Sequence, residues 1–296
     1  MMINHENIFY EVDDFIKLNN QIFLKEKNEK NIKNAGAKSR LALSEVVTII
    51  IAFHNSRMRT FKDYYLKTVC VFMKNDFPNL VSYNRFLELM KTAAFALHAF
   101  LQCTRLGKLT GLYFGDSTKL SVCNNRRIYS HKVFKGIAER GKTSTGWFYG
   151  FKLHLIVNEY GDLVAFDITP GNIDDRNIKV MKKLTKNLSG KLFADRGYIS
   201  KSLFDFLFSQ GLRLFTKARK NMKTSILELN DKLMLRKRGI IESINNLLKA
   251  ACMIEHTRHR NPINYFCNLI SGLIAYTYFE KKPSIFSSKT LKINGF

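Results

Sequence analysis

Four prolines and five cysteines are low counts for 296 residues, and each excludes something. So little proline beside 46% hydrophobic residues describes a chain that buries a core, not a disordered one. The cysteines (Cys70, Cys103, Cys123, Cys252 and Cys267) are odd in number and contain no CxxC pair, which argues against both a zinc site and a disulfide framework. Reduced thiols in a cytoplasmic protein are the expectation. No apolar run approaches the roughly 20 residues that span a bilayer; the longest, Val46–Phe53 and Leu269–Phe279, fall well short. The polar start has no basic-then-apolar leader pattern. Acid is scarce too: 24 Asp and Glu stand against 48 Lys and Arg, a formal charge of +24. An excess of that size calls for a polyanionic partner. Nucleic acid comes first. An anionic membrane surface is weaker, because the basic residues are spread along the chain instead of lining one amphipathic helix.

Residues 1–105 read as wholly helical, over Glu6–Leu24, Glu45–His54 with Ser44 as N-cap, Thr60–Met73 and Ser82–Cys103. Lys25–Lys38 between them is an exposed linker. Such a module binds DNA or serves packing and dimerisation; its residues do not decide which. From about residue 111 the pattern turns to strands: Gly111–Gly115, then Trp147–Val157 and Leu163–Thr169 as a hairpin turning at Asn158–Gly161. An amphipathic helix over Asp174–Leu188, with Asp174 as its cap, leads to strand Lys191–Ala194. Helix Ser200–Gln210, strand Leu212–Thr216 and helix Gly239–Ala251 complete the order. The fold class is α/β (α+β), a mixed sheet with helices on its faces after a helical N-terminal region. The expected domains are 1–105, 106–284 and a loose polar tail over 285–296.

Two aspartates each follow a short apolar run, in Tyr113-Phe-Gly-Asp116 and Leu192-Phe-Ala-Asp195. Strand ends at the carboxyl edge of a sheet gather ligands, and these two strands should lie side by side. On the last helix Arg238, Glu242 and Lys249 stand at i, i+4 and i+11, roughly one side, above a buried stripe of Ile241, Ile244, Leu248 and Ala251. Three converging carboxylates repel one another until a cation binds, and an all-oxygen set suits Mg²⁺ or Mn²⁺, two ions in the arrangement that drives in-line attack at phosphorus. Each alone has a plainer reading: an aspartate after a strand forms Asx turns, and Glu242 can simply pair with Arg238.

With these residues in place the chain resembles the DDE transposases of bacterial insertion sequences, most closely the IS982-type family. The likeness runs through Gly115-Asp-Ser-Thr-Lys119, Asn125-Arg-Arg127, His131-Lys-Val-Phe134, Arg140-Gly-Lys-Thr143, Gly146-Trp-Phe-Tyr-Gly-Phe-Lys-Leu-His154, Thr169-Pro-Gly-Asn172 with Asp174-Asp-Arg176, Ala194-Asp-Arg-Gly-Tyr198, Leu235-Arg-Lys-Arg-Gly-Ile-Ile-Glu242 and Ile254-Glu-His-Thr-Arg-His-Arg260. Ser44-Glu45 and Val81-Ser-Tyr-Asn-Arg-Phe86 extend it into the helical region. The resemblance implies an RNase H-like core, with Asp116, Asp195 and Glu242 as catalytic and metal-holding residues. It further implies cleavage at element ends, transfer of the 3′-hydroxyl into target, and a homo-oligomer assembled on double-stranded DNA in the cytoplasm at the nucleoid. Related transposases carry a Tyr-x₂-Arg-x₃-Glu-x₆-Lys signature, which Arg238, Glu242 and Lys249 match while Leu235 replaces the tyrosine. The rival readings are a nuclease on the same fold that joins no strands, and a DNA-binding relative without catalysis.

Basic residues flank these carboxylates. Lys119, Arg126, Arg127, Lys132, Lys135, Arg140 and Lys142 face one acid, Glu139, between the first two strands and are expected to hold phosphates. Lys217–Lys223 and Arg236–Arg238 add further cations. Lys152 and His154 share one side of their strand, as phosphate contacts or as structural groups. Arg238, Lys249, Arg258 and Arg260 are further DNA candidates. His256 and His259 lack a third metal ligand and sit among arginines that repel a cation. Trp147 is expected in the core, or else stacked on an unpaired base.

Overall fold

The computed structural model describes residues 4–22, 39–144, 146–217, 228–255 and 258–286. The linker over 25–38, most of the Lys217–Lys223 patch, His256 and most of the tail lie outside them. Two compact units divide the chain: one takes the described residues up to Arg105 with Leu248–Phe279, the other Leu106–Leu247 with the residues from Glu280 onward. Leu248–Phe279, which the sequence reading places with the sheet, therefore groups with the N-terminal helices.

In the second unit a sheet forms around β3 (Gly146–Asn158), whose residues from Phe148 to Asn158 are all buried. A strand covered on both faces loses polar/apolar alternation, as here. β1 (Leu112–Cys123) pairs antiparallel with β3 along one edge. The other edge of β3 is shared end to end by β2 (Glu139–Thr143) and β4 (Leu163–Pro170). On its far side β1 runs parallel to β5 (Gly190–Ala194), and β5 parallel to β6 (Leu212–Phe215). The antiparallel set followed by parallel strands, with helices on the faces, is the RNase H-like arrangement. The β3–β4 turn closes through Gly161, whose N–H donates to Asn158 O at 3.1 Å and whose φ of +81° suits glycine.

Three elements differ from expectation. β2 is a polar edge strand that no alternation announced. Asn177, not Asp174, caps the next helix (Ile178–Leu184) by accepting the Lys179 and Val180 N–H groups, while Asp174 pairs with Arg176 at 2.7 Å. A helix over Leu229–Lys237 precedes Gly239–Ala250; its Asp231 holds Lys191 of β5 at 2.7 Å.

Within the helical unit, Pro262–Thr277 is buried almost all round, the mark of a helix surrounded by others. Asn261 caps it and Pro262 opens it, a position needing no N–H. Two of its polar side chains find partners inside: Ser271 Oγ meets His54 Nε2 at 2.8 Å, and Thr277 Oγ1 accepts from Arg105 Nε at 3.0 Å. Thr60 caps a short helix (Phe61–Tyr64) that passes through a π-turn (Tyr65–Val69), and Ser82 caps Tyr83–Thr92. Among the described residues no helix is long and apolar enough to cross a membrane.

Candidate active site

β1 and β5 pair in register up to Gly115 opposite Ala194, and the next residues are Asp116 and Asp195. Alternation then places Phe114 and Asp116 on one face, with Phe193 and Asp195 beside them. The Phe114 and Phe193 rings stand 5.8 Å apart, and Phe193 stacks on Phe215 at 5.0 Å. The repeated Phe-x-Asp pattern thus anchors each strand by an aromatic ring and delivers a carboxylate two residues on. Asp195 follows its strand as expected. Asp116 lies inside β1, which continues to Cys123. What ends at Gly115 is the pairing with β5, and this parting of two strands exposes the edge.

Glu242 comes from the helix Gly239–Ala250, held by the fully buried Ile241 and Ile244. Arg238 sits one turn earlier, with Nη2 at 2.9 Å from Glu242 Oε1 and 3.9 Å from Asp195 Oδ1. Asn245, three residues past Glu242 and so on the same side, donates Nδ2 to Asp116 Oδ2 at 3.3 Å. One guanidinium and one amide thus link three carboxylates from three distant segments. The Asp195 and Glu242 side chains are 56% and 57% exposed, whereas Arg238 is 16% exposed. Burial pushes the Asp116 carboxyl up to about 6; the Ser117 N–H and Arg238 oppose this, and the charges of Asp195 and Glu242 add to it.

Among the described residues no three His, Cys, Asp or Glu side chains are gathered tightly enough to ligate one ion. The donor set nevertheless fits a hard divalent cation, being oxygen throughout. Asn245 Oδ1 is buried beside it without a hydrogen-bond partner, an oxygen with capacity to spare. The family model described as Transposase DDE domain matches residues 106–262, over half of the chain.

The chain belongs to this family.

One solved structure similar to this transposase-family chain is the cryo-electron-microscopy structure of the simian T-cell lymphotropic virus intasome in complex with PP2A regulatory subunit B56 gamma. The identity is 14% and the TM-score 0.31, and the match covers 67% of this chain and 60% of that one. This chain therefore spans less than two thirds of that chain's length. No curated protein matches.

The basic residues of this transposase-family chain divide into groups. Arg126, Arg127, Lys132, Lys135, Arg140 and Lys142 are exposed, on a 3₁₀ turn (Asn125–Arg127), the loop after it and β2; Lys119 is half-buried within β1. Arg258 and Arg260 are exposed in the helical unit, where Lys249 pairs with Glu255 at 3.2 Å. Arg238 is turned toward the carboxylates.

Lys152 and His154 correct the expectation of phosphate contact, since they are 8% and 0% exposed. Ser117, neighbour of Asp116, explains why. It faces the opposite side of β1 and donates its hydroxyl to Asp175 Oδ1 at 2.8 Å. Lys152 Nζ reaches that same oxygen at 3.0 Å and donates to Ile173 O at 2.8 Å, so its charge is matched internally. His154 Nε2 meets Thr169 Oγ1 at 2.9 Å, and burial lowers its pKa, which favours neutral imidazole. The Tyr198 phenol is buried and bonds to Ser117. Burial first, then the charges of Asp175 and Asp116, hold it protonated well above its ordinary range. Trp147 is a second correction: it is 61% exposed, because the start of β3 pairs only with the edge strand β2.

Asn245, Ser117 and Tyr198 were not singled out as parts of this region by the sequence. Asn245 had a signal, its i+3 spacing from Glu242. The other two meet only through tertiary packing.

Proposed function

We propose that this member of the transposase DDE family is the DNA transposase of an IS982-type insertion sequence, cutting element ends and joining them to target. The observation that carries the reading is the meeting of Asp116, Asp195 and Glu242 around Arg238 on one face of the sheet. Asp116, Asp195 and Glu242 would hold divalent cations, Mg²⁺ or Mn²⁺. When bound, these supply Lewis-acid polarisation of the phosphoryl group and ease deprotonation of the attacking oxygen.

The protein's own residues have separate tasks. Asn245 orients Asp116 through its amide, and the Phe114–Phe193–Phe215 stack fixes the strands that present both aspartates. Arg238 balances the carboxylates while they wait. Exposed cations of the β1–β2 connection hold phosphates and so fix the register of the duplex. In the first reaction a water oxygen bonds to phosphorus and the bond to the element's 3′ oxygen breaks, leaving a 3′-hydroxyl. In the second, that hydroxyl bonds to a target phosphorus and a target 3′-hydroxyl departs. Neither needs a protein nucleophile.

The experiment incubates purified protein with labelled duplex carrying the borders of its own element, with and without Mg²⁺. Asp116→Asn is expected to bind this duplex normally and to lose cleavage by about a thousandfold. Undiminished cleavage by the variant removes Asp116 from the mechanism. Free ends without joined target products would mean a nuclease, and binding without any metal-dependent cleavage would mean a non-catalytic relative.

A further inference from the structure

We propose that the β2–β3 hairpin and the 3₁₀ turn beside it form a stacking site for an unpaired nucleobase, apart from the carboxylate centre. This rests on the reading of DNA as partner. Trp147 is 61% exposed, and Tyr129 is 91% exposed. Each ring has a cation over it. The Lys142 ammonium, cross-strand from Trp147, stands 5.6 Å from the indole centroid, and the Arg140 guanidinium stands 5.3 Å from the Tyr129 ring. A cleft of about 310 Å³ opens among Asn125, Ile128, Arg140, Trp147 and Phe148. Asn125 Nδ2 donates to the Trp147 carbonyl at 2.8 Å, which ties the turn to the hairpin and steadies the cleft.

Single exposed aromatics need no explanation. Two of them, each beside a cation and one of them, Trp147, lining a cleft, make the combination that binds single-stranded nucleic acid: a flat surface for a base and positive charge for its phosphate. Duplex phosphates would require only the cations. A base inside a duplex has both faces covered by its neighbours, so the rings favour an unpaired one. The cleft is at the small end of ligand sites, which run from roughly 300 Å³ upward, and suits one ring system rather than a base pair.

The site is remote from the reacting phosphate. Leu155 of β3 is the partner of Asp116, and Trp147 lies eight residues earlier on that strand. At about 3.3 Å per residue the separation is about 26 Å. The ligand is therefore an unpaired base several nucleotides from the scissile bond, on a flanking or displaced strand.

Trp147 is the only tryptophan, so intrinsic fluorescence reports this site alone. The full chain would be titrated, with EDTA present, against a labelled blunt duplex and the same duplex extended by a single-stranded tail. Anisotropy reads binding, and tryptophan emission reads stacking. Both DNAs are expected to bind, but only the tailed one should quench emission, by half or more. Trp147→Ala is expected to weaken the tailed duplex about tenfold and leave the blunt one unchanged; Trp147→Phe should keep most of the tail preference. Equal quenching by both DNAs, or equal loss of both in Trp147→Ala, overturns the inference and leaves DNA binding intact. Failure of either DNA to bind overturns the DNA reading with it. If Trp147→Ala does not fold, the quenching contrast in the unaltered chain decides.

Discussion

Asp116 and Ser117 are consecutive residues that face opposite sides of β1, and the two sides treat negative charge differently. Behind Ser117 one carboxylate, Asp175, is met by the Lys152 ammonium and the Ser117 hydroxyl. In front, three carboxylates share the single guanidinium of Arg238. The rear is balanced, and its Lys152 is closed off from water. The front is one-sided and open at Asp195 and Glu242; burial first, with the charges of those two residues adding to it, raises the Asp116 carboxyl to about 6. Balanced buried charge specifies a packing. Unbalanced charge at an edge is prepared for a cation from outside.

The largest expected effect separates the two sides by activity. Glu242→Gln should reduce strand cleavage about a thousandfold, about 4 kcal/mol of transition-state stabilisation, with no change in melting. Asp175→Asn should do the reverse, lowering the melting temperature while the folded fraction still cleaves. If both variants lose activity equally at full folding, the rear network belongs to the chemistry and the contrast fails.

Next in size is the rear pair itself. Asp175→Ala strands the Lys152 ammonium at 8% exposure and is expected to cost about 3 kcal/mol in urea unfolding. A loss below about 1 kcal/mol would show that water reaches Lys152 freely.

The front should show the opposite sign in metal-free solution. The Asp116 carboxyl has a folded value of about 6 against an ordinary 3.8, so folding favours its protonated form. Its contribution to stability is complete below the ordinary value and disappears as pH rises through 6. Asp116→Asn in EDTA is therefore expected to exceed the parent by about 2–3 kcal/mol above pH 7, and to match it near pH 4. Unfolding curves at the two pH values check this; an equal gap at both would assign the effect to packing.

The smallest expected effect concerns Arg238. Arg238→Gln removes the internal counter-charge, and Mn²⁺ binding followed by electron paramagnetic resonance should tighten a few-fold, about 1 kcal/mol. Unchanged or weaker binding would mean that Arg238 helps to arrange the carboxylates more than it competes for them.

Much of this was legible in the chain. Apolar runs ending in Asp116 and Asp195, with Glu242 above Ile241 and Ile244, locate three carboxylates that the fold brings into one neighbourhood. The Asn158–Gly161 turn and the strand after it were readable for the same reason: turn residues and alternation act over a few positions. β2 was not readable, because Glu139–Thr143 is polar and its pairing depends on the register set by Gly146–Gly150. The Pro262–Thr277 helix showed only as an apolar run; nothing local says which unit surrounds it. For Lys152 and His154 the choice between phosphate contact and structural group stayed open, because Asp175, the partner of Lys152, lies in a loop beyond the next strand and Thr169, the partner of His154, lies on that strand.

By itself the chain settled what repeats over short distances: which residues alternate along a strand, which share a helix side, and how large the positive excess is. Tertiary structure alone decided which charges found a partner. It buried Lys152 against Asp175, turned Arg238 toward Asp195 and Glu242, and left Trp147 in solvent. Periodicity is a property of neighbours along the backbone, whereas charge compensation and burial depend on distances through space that close only when remote segments pack.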